Sequence, residues 1–185
     1  GEPLAVIDIG GGSTEFVLGE GRTSHWRRSF DVGSVRMTER FLYDADPPAP
    51  DSLARLQSAL RETFAPVPRL AASGRAIGIA GTFTTLAAVH LGLSTYDAAR
   101  VHGLAISLSE LESVRDRLAS TPLAARRDVS GLEPKRADVI VAGRVDDIGH
   151  VICGHQDDVG MTLDRRIGAQ AANGLQPVHA RHVPV

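Results

Sequence analysis

Two short runs rich in valine, isoleucine and phenylalanine, Leu4–Ile9 and Thr14–Leu18, flank the glycines Gly10, Gly11 and Gly12. Side chains alternate across a strand, so the pattern predicts a hairpin over residues 4–18. Leu4, Val6 and Asp8 fall on one face of its first strand, and Ala5, Ile7 and Ile9 on the other. A third strand is expected from His25 to Phe30, with Trp26 and Phe30 on a common face. Val35–Leu42 reads as a short helix. Asp46–Pro50 reads as a loop, because clustered prolines block both helix and ladder. Asp51 suits the N-cap of a helix whose Leu53, Leu56, Leu60 and Phe64 recur at spacings of three and four, and Pro66 and Pro68 end it. Ala76–Ala80 reads as a buried strand, and Gly81-Thr82 as the turn into a helix reaching about His90. Ser109 and Glu112 have capping-box spacing ahead of Val114 and Leu118. Pro134 fits the first turn of a helix continuing through Ala137–Ile148. From Gly149 onward there is no clear period, and Pro177–Val185 reads as a frayed tail. A hairpin followed by alternating strands and helices predicts an α/β domain.

Composition narrows the function more by exclusion than by content. The chain has 185 residues, 43% of them hydrophobic, enough for one sizeable core. A net charge of −2 gives no electrostatic case for nucleic acid or a membrane as a partner. Lys135 is the only lysine, and no Gly-Lys-Ser/Thr string exists for a Walker-type phosphate loop. Cys153 is the only cysteine, so no intrachain disulfide forms. No apolar run is long enough to span a bilayer and no secretion signal opens the chain, so a cytoplasmic location is expected.

The hairpin turn carries the densest chemistry. Three glycines admit backbone angles closed to other residues and keep Cβ atoms away from a ligand. Consecutive N–H groups in such a turn form a concavity suited to an anion, with the Ser13 and Thr14 hydroxyls beside it. Asp8 and Glu15 would repel a bare phosphate, so a bridging cation makes sense of them, and hard carboxylate oxygens suit Mg²⁺. The same residues also fit a plain hairpin turn with solvated acids. Gly81, Thr82 and Thr84 sit at a strand-to-helix turn that presents N–H groups to a phosphate or sugar; alternatively Thr82 only caps its helix and Gly81 allows close packing. His150, Cys153, His155, Asp157 and Asp158 match no standard metal spacing. The pairs Arg27-Arg28, Arg126-Arg127 and Arg165-Arg166 read as solvated surface.

Asp8-Ile9-Gly10-Gly11-Gly12-Ser13-Thr14-Glu15 resembles the second phosphate motif of the exopolyphosphatase/guanosine pentaphosphate phosphohydrolase (Ppx/GppA) family, part of the actin-like ATPase superfamily. Gly33–Glu39, Gly78–Ala87 and Glu133–Gly143 resemble three further segments of that family, in the family's order. The resemblance covers residues 1–143, read as the C-terminal half of the phosphatase core. Residues 144–185 read as a divergent, poorly ordered C-terminal extension, because the apolar helix, strand and Ser/Asp-Gly motif of the family are not recognisable there.

The resemblance implies an RNase H-like mixed sheet with helices on its faces. It implies hydrolysis of phosphoanhydride bonds in inorganic polyphosphate or guanosine penta- or tetraphosphate. Gly10, Gly11, Gly12, Ser13, Thr14, Gly81, Thr82 and Thr84 would contact substrate, the second group near a nucleoside, and Asp8 and Glu15 would hold Mg²⁺. The family's first domain carries another phosphate hairpin and a glutamate that activates water. This chain opens on the second motif, so that base is expected outside it, Glu2 is given no such role, and the chain alone is expected to be a weak hydrolase. The expected partners are the substrate and either a second copy of the chain or a separately encoded N-terminal half. Two other readings stay open: a non-catalytic phosphate- or nucleotide-binding module, and a relative of sugar or acetate kinases.

Overall fold

The computed structural model describes residues 1–71, 74–153 and 160–163. Its centre is a six-stranded mixed sheet. β1 (Pro3–Ile9), β2 (Thr14–Glu20) and β3 (Thr23–Phe30) form an antiparallel meander. β4 (Arg75–Ile79) lies parallel to β1 on the other side. β5 (Ala105–Ser107) and β6 (Gly160–Leu163) complete the order β3-β2-β1-β4-β6-β5, with β6 parallel to β4 and antiparallel to β5. This is the mixed α/β architecture that the sequence predicts.

Alternation builds the core. Ala5, Ile7, Ile9, Phe16, Leu18 and Phe30 point to one face and are buried. Helix α1 (Ser34–Phe41) follows β3, and α2 (Pro50–Phe64) brings its stripe of Leu56, Leu60 and Phe64 into the same core. There Phe16, Phe30 and Phe64 meet edge to face, with centroids 5.1–5.7 Å apart, the geometry aromatic quadrupoles prefer. α3 (Ala80–His90) runs directly out of β4. Gly78 inside β4 leaves the space that the Phe83 ring fills. The opposite face carries a smaller cluster, Val6, Ile77 and Ile79, with Leu4 and Val17 beside it.

The remaining helices are α4 (Ala98–Val101), α5 (Leu108–Ser120), α6 (Leu123–Arg126) and α7 (Val145–Cys153). α7 packs on α2 and α5. It is tied to α2 by Gln57, which donates at 2.6 Å to the carboxylate of Asp147, itself in a buried pair with Arg144. Thus residues on both sides of Gly143 contribute to one sheet and one core. His155, Asp157, Asp158, Arg165, Arg166 and Pro177–Val185 lie outside the described residues.

Several element ends differ from the sequence reading. α2 starts at Pro50 with Ala49 as N-cap, because proline's missing N–H is harmless at the first helical position, and Asp51 falls in the first turn. The capping box of α5 is Ser107 with Glu110: Ser107 Oγ accepts from Glu110 N at 3.2 Å, and Glu110 Oε2 accepts from Ser107 N at 2.8 Å. Pro134–Ile148 is not one helix. It is two 3₁₀ turns, Pro134–Arg136 and Ile140–Ala142, then Gly143 at non-helical angles, and α7 begins only at Val145. Thr82 fills the space where a Cβ on Gly143 would lie. Arg126 is not a surface residue: it is buried, donating to the carbonyls of Leu118, Thr121 and Ala137.

Candidate functional site

The β1–β2 turn is fixed by its carbonyls. Ile9 O accepts from Thr82 Oγ1 at 2.8 Å. Gly10 O accepts from Ser34 N at 2.9 Å, and Gly11 O from Val35 N and Arg36 N at 3.0 and 3.1 Å. Gly12 O accepts from Arg36 Nε at 3.0 Å. The C=O and the following N–H of a trans peptide point in opposite directions. With the carbonyls of Gly10, Gly11 and Gly12 drawn toward α1, the N–H groups of Gly11, Gly12 and Ser13 face away from it. Among the described residues none of these three N–H groups has an acceptor, whereas Gly10 N donates to Ser13 O at 2.9 Å. These three adjacent donors lie unclaimed on an exposed turn, the kind of backbone that can receive an anion.

At Gly10 and Gly11 the glycine serves this turn by space and not by angle. None of Gly10, Gly11 and Gly12 adopts a positive φ, contrary to the expectation from sequence. A Cβ on Gly11 would lie 3.1 Å from Val35 Cγ2, and one on Gly10 3.3 Å from Ser13 O, while the Cβ position of Gly12 has nothing nearer than Arg36 at 3.9 Å. Gly33 approaches the turn from the other side, with a Cβ position within 2.5 Å of Gly12 N. Thr14 is buried and its hydroxyl donates to Val32 O at 2.5 Å, so that hydroxyl braces the turn from inside.

Asp8 and Glu15 are directly opposed across β1 and β2, on the same face, and both are half-buried. Directly opposed residues of an antiparallel pair lie within reach of each other. Glu15 Oε1 accepts from Ser29 Oγ at 2.7 Å. Among the described residues no hydrogen bond or ion pair reaches the Asp8 carboxylate. Burial, and then the neighbouring charge of Glu15, raise the Asp8 pKa above the ordinary carboxylate value. Two facing acids, one of them partly desolvated and without a partner, fit a shared cation. Among the described residues no group of three or more His, Cys, Asp or Glu gathers around a point. The donor set therefore fits a hard ion that keeps most of its water or takes substrate oxygens, as Mg²⁺ does.

The second loop works differently. Ala80 takes the left-handed conformation, φ 64°, and Gly81 gives room to a side chain: its Cβ position is 2.5 Å from the Arg136 guanidinium. The helix starts at Ala80, not after a Gly81-Thr82 turn. Thr82 is buried and neither caps α3 nor faces solvent, because its hydroxyl reaches back to Ile9 O. Thr84 Oγ1 donates to Ala80 O at 3.1 Å. A cavity of about 770 Å³ opens here, lined among others by Asp8, Gly81, Thr84, Tyr96, Glu133 and Arg136. It takes Asp8 from the end of β1 and Gly81 and Thr84 from the second loop, whereas Gly10, Gly11, Gly12, Ser13, Thr14 and Glu15 are not among its lining residues. Arg136, steadied by Glu133 Oε2 at 3.1 Å, and Tyr96 are cavity residues that sequence reasoning did not select. Nothing local marks them, because they reach the cavity only through the fold. His150 is engaged with Glu112 at 2.7 Å, away from this cavity.

Residues 1–145 match the Ppx/GppA phosphatase family. Exopolyphosphatase 2 of Mycobacterium tuberculosis is 38% identical over 148 residues, which cover 78% of this chain and 46% of that protein. A bifunctional 3-dehydroquinate synthase/phosphatase of Fusobacterium nucleatum is 33% identical over 158 residues, covering 77% of this chain and 22% of the relative. The solved Ppx/GppA enzyme of Aquifex aeolicus superimposes with a TM-score of 0.82 at 28% identity, over 93% of this chain and 57% of the other. The chain spans less than half the length of these curated relatives. With the family model matching most of its length, the chain belongs to the Ppx/GppA phosphatase family.

Proposed function

We propose that this chain supplies the phosphate- and metal-binding half of an exopolyphosphatase-like hydrolase, acting in the cytoplasm on inorganic polyphosphate or guanosine penta- or tetraphosphate. The observation that carries the reading is the nest of three unclaimed N–H groups at Gly11, Gly12 and Ser13 beside the facing acids Asp8 and Glu15. Those amides and the Ser13 hydroxyl donate to phosphoryl oxygens. Gly81 and Thr84 border the cavity where the rest of the substrate lies, and Arg136 places positive charge against it. Asp8 and Glu15 would hold Mg²⁺, which when bound neutralises charge on the phosphoryl oxygens and lowers the barrier to water attack. Preorganised donors aimed at oxygens that gain charge contribute most where they need not reorient, and the bonded carbonyls of residues 9–12 provide that rigidity. The water-activating base is assigned to none of the described residues.

Calorimetry with tripolyphosphate, with and without Mg²⁺, tests the reading on the full chain. Gly12→Ala is the decisive variant, because nothing in the protein obstructs its Cβ. Its stability should change by less than about 1 kcal/mol, while ligand affinity drops as the methyl group meets the bound phosphate. Unchanged affinity would refute the nest. Phosphate release from long-chain polyphosphate should be weak for the chain alone and rise when the first domain of a relative is added. Binding without turnover even then favours the non-catalytic module, and ATP consumption that depends on an acceptor favours the kinase relative.

A further inference from the structure

Thr82 joins the two loops. Its side chain is 3% exposed. Its hydroxyl donates to Ile9 O at 2.8 Å, across 73 residues of sequence. Ile9 lies between Asp8 and Gly10, so the acceptor carbonyl sits between the metal-binding acid and the first residue of the anion turn. The donor sits in the first turn of α3, next to the Gly81 that lines the cavity. Its methyl occupies the space where a Cβ on Gly143 would lie, which pins the side chain from behind. Thr14 and Arg36 brace the turn toward α1 and the β3–α1 connection. Thr82 is the side chain that ties it to the cavity side.

Resting on the reading above, we infer that Thr82 is a positioning residue: through Ile9 O it sets the distance between the phosphate nest and the Gly81 cavity, and it touches no substrate itself. A buried hydroxyl–carbonyl bond holds its two partners tightly, because leaving the carbonyl unsatisfied is costly. The role separates into two parts, hydroxyl for registry and methyl for packing, and conservative variants divide them. Thr82→Val keeps the shape and removes the hydroxyl; Thr82→Ser keeps the hydroxyl and removes the methyl.

Two measurements on the full chain test this. In calorimetry with tripolyphosphate and Mg²⁺, Thr82→Val should weaken binding by about tenfold, the scale of one buried hydrogen bond, and Thr82→Ser should restore most of it even if its melting temperature is the lower of the two. Equal binding by wild type and Thr82→Val overturns the inference. Binding lost in parallel with melting temperature in both variants makes Thr82 merely structural and also overturns it. Amide hydrogen exchange gives a readout that needs no ligand. The Gly10 N–H, bonded to Ser13 O, should exchange faster in Thr82→Val but not in Thr82→Ser, with the ladder amides of β1 and β2 unchanged. If wild type fails to bind tripolyphosphate, the functional proposal falls; if Gly10 exchange is the same in all three proteins, the Thr82 inference falls separately.

Discussion

The β1–β2 turn and the β4–α3 junction look alike in sequence: each is an isoleucine strand end followed, directly or after Ala80, by glycine and then a hydroxyl residue. Their structures solve opposite problems. In the first, no glycine takes a positive φ, and room is short at two of the three: Ser13 O lies close to Gly10 and Val35 close to Gly11. In the second, the left-handed angle falls on Ala80, while Gly81 yields its volume to Arg136. A glycine-rich string therefore does not reveal whether angle or room is being selected. The first loop is built from fixed backbone, the second from a strained residue and a movable cation.

The largest effect should come from the acid that borders both regions. Asp8→Asn removes a charged ligand of the proposed ion and should weaken Mg²⁺-dependent tripolyphosphate binding roughly a hundredfold, the scale of a hydrogen bond to a charged group. Its stability effect has the opposite sign. Asp8 has a raised pKa when folded, so between the unfolded and folded values the native state binds more protons, and stability falls as pH rises through that window. Above the folded value the penalty is fully present. In Mg²⁺-free buffer at neutral pH, Asp8→Asn should therefore melt higher than wild type. The gap should close as pH falls through the raised Asp8 pKa, and added Mg²⁺ should stabilise wild type only. A variant that melts lower at neutral pH and keeps its affinity would make Asp8 a structural residue.

A pair of glycine substitutions compares rigid with yielding surroundings. Gly33 has extended angles, φ −139°, that alanine adopts freely, so only space opposes the change. Its Cβ would press on the backbone of Gly11 and Gly12, which cannot move without disturbing α1. Gly33→Ala should cost about 1–3 kcal/mol in denaturant unfolding. Gly81→Ala meets only the end of the half-exposed Arg136 side chain, and should cost about 0.5 kcal/mol as the guanidinium swings aside. Equal costs would remove the distinction between the two loops.

The hairpin, the β4 strand and the α2 stripe were legible because a two-residue or near-four-residue period runs through each of them. The facing of Asp8 and Glu15 was legible because it follows from the register of the hairpin strands. Three features were not legible, each for a physical reason. Ser107–Glu110 and Ser109–Glu112 are overlapping boxes with equal local merit, and the burial of Leu108, Leu111, Val114 and Leu118 selects the first. The lack of room for a side chain at Gly143 comes from Thr82, far away in sequence. The inward hydroxyls of Thr14 and Thr82 read as ligand donors in a linear string, yet burial commits both to backbone carbonyls. Hydroxyl chemistry at a loop is set by which way the residue faces, and in α3 that face is fixed by the packing of Phe83 against Gly78.

The smallest effect tests the angle side of the comparison. Ala80 holds φ 64° immediately before Gly81, in a region where an L-residue with a Cβ is disfavoured by about 1–2 kcal/mol. Glycine at this position relieves that strain but loses more chain entropy on folding, about 0.5–1 kcal/mol. Ala80→Gly should therefore be neutral or stabilising by up to about 1 kcal/mol, the reverse of the sign expected for a glycine placed at the start of a helix. If the strained angle serves the cavity by holding Gly81 against Arg136, the same variant should also loosen tripolyphosphate binding slightly while the protein becomes no less stable, a combination that neither lost packing nor lost helix propensity produces. A clear drop in melting temperature would mean that the alanine methyl is packed rather than strained, and that the two loops differ less than their backbone angles imply.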